Sequence, residues 1–135
     1  MKQILIADDD KDLVQILSMR CRSIGLDVVT AYDARSALAA VLKHNPDLIC
    51  LDVEMPAGNG LSVCEVLSKD EEYSATPVII LTGRTDPETI RRCGDMCAYY
   101  VNKTTNIWAR IRPVIYELID VDAPDPANVS VSRDR

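Results

Sequence analysis

A chain of 135 residues with 47% hydrophobic and 27% charged residues is long enough to bury one substantial core and has the balance of an ordinary globular domain. Its net charge of −6 and pI near 4.7 argue against direct contact with nucleic acid, whose phosphates demand basic surface. No apolar run approaches the ~18 residues of a membrane span, and the opening "MKQILIADDD" runs into acids where a signal peptide would stay apolar.

In chain order, short apolar runs alternate with stretches of helical period. "QILIA" (3–7) predicts a strand, and Asp8, Asp9 and Asp10 crowd three carboxylates directly behind it. Leu13, Ile16, Leu17, Cys21 and Ile24 then recur at helical spacing up to Gly25, a helix stop. "DVVTAY" (27–32) predicts a second strand. Ala34, Ala37, Leu38, Val41 and Leu42 form a stripe closed by "HNPD", where Pro46 forbids continuation. "LICL" (48–51) is continuous enough for a strand buried on both faces.

After the turn "MPAGNG", Leu61, Cys64 and Leu67 predict a short helix, and the polar "SKDEEYSAT" a loop. "PVIIL" (77–81) predicts the fourth strand, residues 87–94 a helix and "AYYV" (98–101) the fifth strand. Ile107, Ile111, Val114, Ile115, Leu118 and Ile119 outline a last helix interrupted by Pro113. Five cysteines (Cys21, Cys50, Cys64, Cys93, Cys97) sit mostly among apolar neighbours without zinc-ligand spacing, which reads as core thiols in a reducing cytoplasm.

Five βα units in succession, with apolar runs too continuous for a sheet with one wet face, predict an α/β fold. Its sheet is parallel and doubly wound, with helices on both faces. The expected boundaries are a domain over 1–120 and a disordered tail or linker start over 121–135, "VDAPDPANVSVSRDR".

On that scaffold the unusual polar residues converge. Asp8 and Asp9 follow the first strand, Asp52 the third, Thr82 the fourth, and Lys103 lies just beyond the fifth. All carboxyl ends of a parallel sheet share one rim, where open α/β sheets bind ligands. Three hard-oxygen carboxylates suit Mg2+, which would relieve their repulsion. Asp52 could act as a nucleophile and form an acyl phosphate, Lys103 could pair with a phosphoryl oxygen, and the Thr82 hydroxyl could donate to another. Taken alone, Asp8–Asp10 also fit a solvated helix start, and Asp10 is the natural cap.

The motifs "ADDD" (7–10), "LDVEMPAGNGL" (51–61), "PVIILTG" (77–83) and "YYVNK" (99–103) resemble those of the receiver domain of two-component response regulators, over roughly residues 2–120. The resemblance implies a (βα)5, flavodoxin-like sheet in the order 2-1-3-4-5. It implies Asp52 as the phosphoacceptor and Mg2+ held by Asp8, Asp9, Asp52 and the backbone carbonyl of Glu54. Thr82 would be the switch hydroxyl, Lys103 the phosphate-binding lysine, and Tyr100 the aromatic that swings inward with Thr82. Tyr99, facing the other way along the strand, is the confounder. A histidine kinase or phosphotransfer protein would be the donor, a downstream protein would read the face containing Tyr100, and phosphorylation-dependent dimerisation is one possible output.

Two positions depart from the family pattern. Thr104 follows Lys103 where the family usually has a proline with a cis peptide; a cis bond there would cost ~3 kcal/mol, so a trans loop and a reoriented lysine are expected. Pro113 should kink the last helix or mark a shifted start. Glu54 and Arg84, each two residues beyond a site residue, occupy positions the family uses to tune dephosphorylation and are expected to pair over the site.

Two other functions compete with the phosphorylated module. A receiver fold can bind partners without phosphorylation. A haloacid-dehalogenase-type phosphatase also combines Asp, Mg2+, Thr and Lys, but carries its nucleophile on the first strand in a D-x-D pattern. With no output domain after residue 120 of this sequence, the expectation is a single-domain regulator, a phosphorelay intermediate or a fragment cut at a linker.

Overall fold

The computed structural model describes residues 1–83, 86–96 and 98–121. Strands β1 (Gln3–Ala7), β2 (Asp27–Ala31), β3 (Leu48–Asp52), β4 (Val78–Thr82) and β5 (Tyr99–Asn102) alternate with helices α1 (Lys11–Ser23), α2 (Ala34–His44), α3 (Gly60–Ser68), α4 (Pro87–Asp95) and α5 (Ile107–Leu118). The strands form one parallel sheet in the order β2-β1-β3-β4-β5. This is the doubly wound, flavodoxin-like arrangement expected from the sequence.

The helices begin where side chains satisfy their first backbone donors. Asp10, Asp33, Asn59 and Asp86 each accept from the N–H three residues on, in α1, α2, α3 and α4 respectively. Helix α1 ends at Ile24 and Gly25, the latter at φ 89°. Helix α2 ends on the left-handed Asn45, with Pro46 behind it.

Period-two alternation divides the core between the two faces of the sheet. Ile4, Ile6, Leu48, Cys50, Ile79 and Leu81 pack under α1 and α5, against Val14, Leu17, Ile111 and Ile115. Leu5, Ala7, Ile49, Leu51, Val78 and Ile80 pack on the other side against Ala37 and Val41 of α2, Leu61 of α3 and Cys93 of α4. Strands β3 and β4 are buried along their whole length, as their unbroken apolar runs require, whereas the edge strand β2 is largely open.

Strand boundaries move by one residue for identifiable reasons. Pro77 has no N–H for the ladder and offers only its carbonyl, which accepts from Ile49 at 3.1 Å. The Ala98 N–H is spent on the Cys93 carbonyl at 2.8 Å, closing α4. Asp52 and Thr82 consequently become the last residues of their strands. Helix α5 starts six residues before Pro113 and continues through it, so the proline is interior and denies the Ala109 carbonyl its helical donor. The expected tail, apart from Val121, lies outside the described residues.

Candidate functional site

The carboxyl ends of β1, β3, β4 and β5 open into one cavity of about 480 Å3, lined by Asp9, Asp52, Glu54, Thr82, Gly83 and Lys103. Asp8 stands at the end of β1 and is fully buried, with its own N–H bonded to the Ala31 carbonyl of β2 at 3.1 Å. Its Oδ1 accepts the Asp10 N–H at 2.9 Å. The turn thus leaves Asp10 to cap α1 and carries the exposed Asp9 over the rim.

Carboxylate oxygens of Asp8, Asp9 and Asp52 all lie within 4.8 Å of one another. At an effective dielectric of about 20, each such pair of like charges costs on the order of 3 kcal/mol. Among the described residues, Lys103 offsets part of this. Lys103 Nζ lies 2.7 Å from Asp8 Oδ2 and 3.5 Å from Asp52 Oδ1. The Asp8 contact is an ion pair without hydrogen-bond alignment, so the buried Oδ2 retains lone-pair capacity for a second positive partner.

The environment shifts both partners. Burial, reinforced by the Asp8 charge, pushes the Asp52 carboxyl from 3.8 up to about 6 against the pull of Lys103. Burial works to lower the Lys103 ammonium, but its close contact with Asp8 and the Asp52 and Asp8 charges outweigh it, and the net shift is upward. Among the described residues the three carboxylates gathered here outnumber the one ammonium that faces them. The donor set is all oxygen, partly buried and open to solvent on one side, which fits a divalent hard cation retaining several waters.

Thr82 is buried at the end of β4 and lines the same cavity, and its carbonyl accepts the Lys103 N–H at 2.8 Å. That bond fixes the lysine's backbone to the neighbouring strand end. No cis peptide occurs among the described residues. The Lys103–Thr104 bond is trans, and the lysine ammonium faces Asp8 and Asp52. Tyr100 lies outside the cavity lining, half-buried on β5 opposite Ile80, and its hydroxyl accepts from Asn102 Nδ2 at 3.1 Å. Tyr99 is exposed on the opposite side of the strand. Glu54 reaches the cavity, while Arg84 lies outside the described residues, so their pairing remains an expectation.

Gly60 is the site residue that motif reading passed over. Its N–H donates to the Val53 carbonyl at 2.9 Å, and a Cβ on it would overlap the main-chain carbonyl oxygen of Asp52. Only glycine lets α3 begin this close to the end of β3. The available signal was a glycine placed immediately after the helix cap Asn59, where helix propensity gives no reason for one.

The response regulator receiver domain family matches residues 4–108. The DNA-binding response regulator MtrA of Mycobacterium tuberculosis is 40% identical over 85 residues, 63% of this chain and 36% of that protein. Among solved structures, the chemotaxis protein CheY4 of Vibrio cholerae has a TM-score of 0.79 at 28% identity, covering 88% of this chain and 99% of that one. The response regulator TrrA of Thermotoga maritima, solved in complex with Mg2+-BeF, has a TM-score of 0.79 at 27% identity, covering 88% and 100%.

This chain spans about a third of the length of MtrA, whose name includes DNA binding. The argument from net charge against nucleic acid is therefore not supported, because the charge of a matched segment does not report on partners held by other segments. Among the described residues no helix is long and apolar enough to cross a membrane. With the family match spanning most of its length and the strand order and rim of acids in place, this chain belongs to the response regulator receiver domains, the regulatory modules of two-component systems.

Proposed function

We infer that this chain is a phosphoacceptor switch whose acceptor is Asp52. The supporting observation is that the Asp52 carboxylate lies 3.5 Å from the Lys103 ammonium while oxygens of Asp8 and Asp9 stand within 4.8 Å of it. In the reaction an Asp52 carboxylate oxygen attacks phosphorus and forms the O–P bond of an acyl phosphate. The P–N bond of a donor phosphohistidine breaks, and the imidazole nitrogen keeps the electron pair.

Lys103 supplies positive charge to a phosphoryl oxygen, and the Thr82 hydroxyl lines the space that group would enter. Asp8, Asp9, Asp52 and the Glu54 carbonyl are the residues that would hold Mg2+. When bound, the ion neutralises charge on the transferring phosphoryl group. TrrA carries Mg2+-BeF in its structure, which supports reading the acidic cluster this way.

The donor is a histidine kinase or phosphotransfer protein, the setting is cytoplasmic, and the output is a changed binding preference on the face that includes Tyr100. Dimerisation is one form that output can take. Glu54 and Arg84 are assigned to tuning the lifetime of the acyl phosphate.

Thr104 is the departure that favours a module working without phosphorylation. The contacts of Lys103 with both buried carboxylates weigh against that reading. Incubation with Mg2+ and acetyl phosphate, followed by intact mass measurement, tests the choice. Gain of one phosphoryl group by the wild type and none by Asp52→Asn is expected; an unmodified wild-type mass would overturn the proposal.

A further inference from the structure

Helices α2 and α3 lie side by side on one face of the sheet, and the groove between their outer surfaces has no part in the site above. Both return between strands of one parallel sheet, so they run in the same direction. Arg35, Leu38 and Leu42 form a stripe along α2, and Ser62, Val66 and Asp70 one along α3 and just past it. The cavity between them, about 300 Å3, is lined mainly by Ala34, Leu38, Ala57, Val63 and Val66, with Arg35 at one end. Leu42 and Val66 are 56% and 54% exposed, so both helices offer a large apolar side chain to water here.

The charges at the ends of this groove are set against their own helices. Arg35 is an exposed cation in the first turn of α2, which holds no acid, and it shares the groove with Asn59, the cap of α3. The Asp33 carboxylate before it is engaged with the Ser36 N–H and hydroxyl. Positive charge is unfavourable at a helix amino end and negative charge at a carboxyl end. Helix α3 nevertheless has no basic residue in its last turn and runs into exposed Asp70, Glu71 and Glu72. Lys69 at its cap is turned back to Glu65 at 3.4 Å. Because the two helices run in the same direction, Arg35 and the acidic run stand at opposite ends of the groove and do not meet within one protomer.

We propose that a second copy of this chain fills the groove, in a two-fold dimer that lays α2 of each protomer antiparallel against α3 of the other. The spacings match. Arg35 precedes Leu42 by seven residues and Asp70 follows Val63 by seven, about 10 Å on either helix. Leu42 therefore enters the cavity over Val63 of the partner subunit while Arg35 reaches the partner subunit's Asp70. Leu38 packs on Val66 of the partner subunit between these two contacts. A parallel arrangement would set Arg35 against another helix amino end, so charge complementarity selects the antiparallel one. The two-fold axis makes each contact twice. This interface is separate from the face containing Tyr100 and needs no phosphoryl group.

Sedimentation velocity of the full chain, unphosphorylated and from micromolar to submillimolar concentration, tests this. A reversible dimer is expected, and Val66→Asp should leave a monomer with unchanged far-ultraviolet circular dichroism, since Val66 is exposed. Arg35→Glu and Glu71→Arg should each weaken the dimer by about tenfold, because symmetry applies each reversal twice. The double variant Arg35→Glu/Glu71→Arg should recover to within about threefold of the wild type. Arg35→Glu should melt no lower than the wild type, since an acid suits the first turn of α2, so its weaker association would not reflect misfolding. Tyr99→Asp and Asp52→Asn should leave the dimer unchanged. A wild type that stays monomeric at submillimolar concentration would overturn the assignment. So would a dimer that survives Val66→Asp, a double variant no tighter than the single ones, or dissociation by Tyr99→Asp.

Discussion

Lys103 is held closer to Asp8 than to Asp52, at 2.7 Å against 3.5 Å. Asp8 is wholly buried and the ammonium is its nearest countercharge, so the lysine is a structural partner of one acid while facing the other. Lys103→Met should destabilise the fold by about 3 kcal/mol, the usual cost of stranding a buried charge. Mg2+ should recover part of that loss. Denaturant unfolding with and without the ion measures both; an unchanged midpoint would mean that the pair carries no such charge balance.

Asp52 contributes in the opposite sense. Its folded-state pKa near 6 exceeds its ordinary 3.8, so the folded form holds this proton more tightly than the unfolded form. The ionised carboxylate therefore penalises folding fully above about pH 6, and the penalty disappears as pH falls toward 4. Metal-free Asp52→Asn should be more stable than the wild type by about 1–3 kcal/mol at pH 7.5, with the gap closing between pH 6 and 4. Thermal melts across that range check the sign.

Asp9 is exposed and Asp8 is not, which separates metal binding from folding. Asp9→Asn should raise the metal-free melting temperature by a few °C, because it removes an exposed carboxylate that repels Asp8 and Asp52. It should also weaken Mg2+ binding. Wild-type stabilisation should reach about 2.7 kcal/mol at a hundredfold excess of ion over its dissociation constant. Melting temperature against Mg2+ concentration for the two proteins gives the comparison.

The glycines of α3 and α4 should respond in opposite directions. Gly60→Ala sets a Cβ against the Asp52 carbonyl and should cost about 2 kcal/mol or more by overpacking, while slowing phosphorylation of Asp52. Gly94 has open space around its Cα, so Gly94→Ala should stabilise by roughly 0.5 kcal/mol through helix propensity. Paired denaturation curves and acetyl phosphate kinetics report the contrast.

Pro113 is exposed within α5. Pro113→Ala restores a donor for the Ala109 carbonyl without opening a cavity, and should stabilise by about 1–2 kcal/mol, less than the full helical cost of proline because proline also restrains the unfolded chain. Urea unfolding is the measurement.

Much of this was legible in one dimension because the strongest signals are local. Unbroken runs such as "LICL" and "VIIL" encode strands covered on both faces, and Asp10 marks a helix start through a short-range hydrogen bond. The shared rim of Asp8, Asp52, Thr82 and Lys103 followed from parallel topology, because a parallel sheet sends every strand's carboxyl end to the same side. What holds Lys103 in place did not follow: the bond from Lys103 N–H to the Thr82 carbonyl keeps it over both acids without a proline behind it. Gly60's necessity and the groove between α2 and α3 were likewise decided in three dimensions. Each depends on how closely a remote segment approaches, and that distance is set by packing rather than by any residue's own propensity.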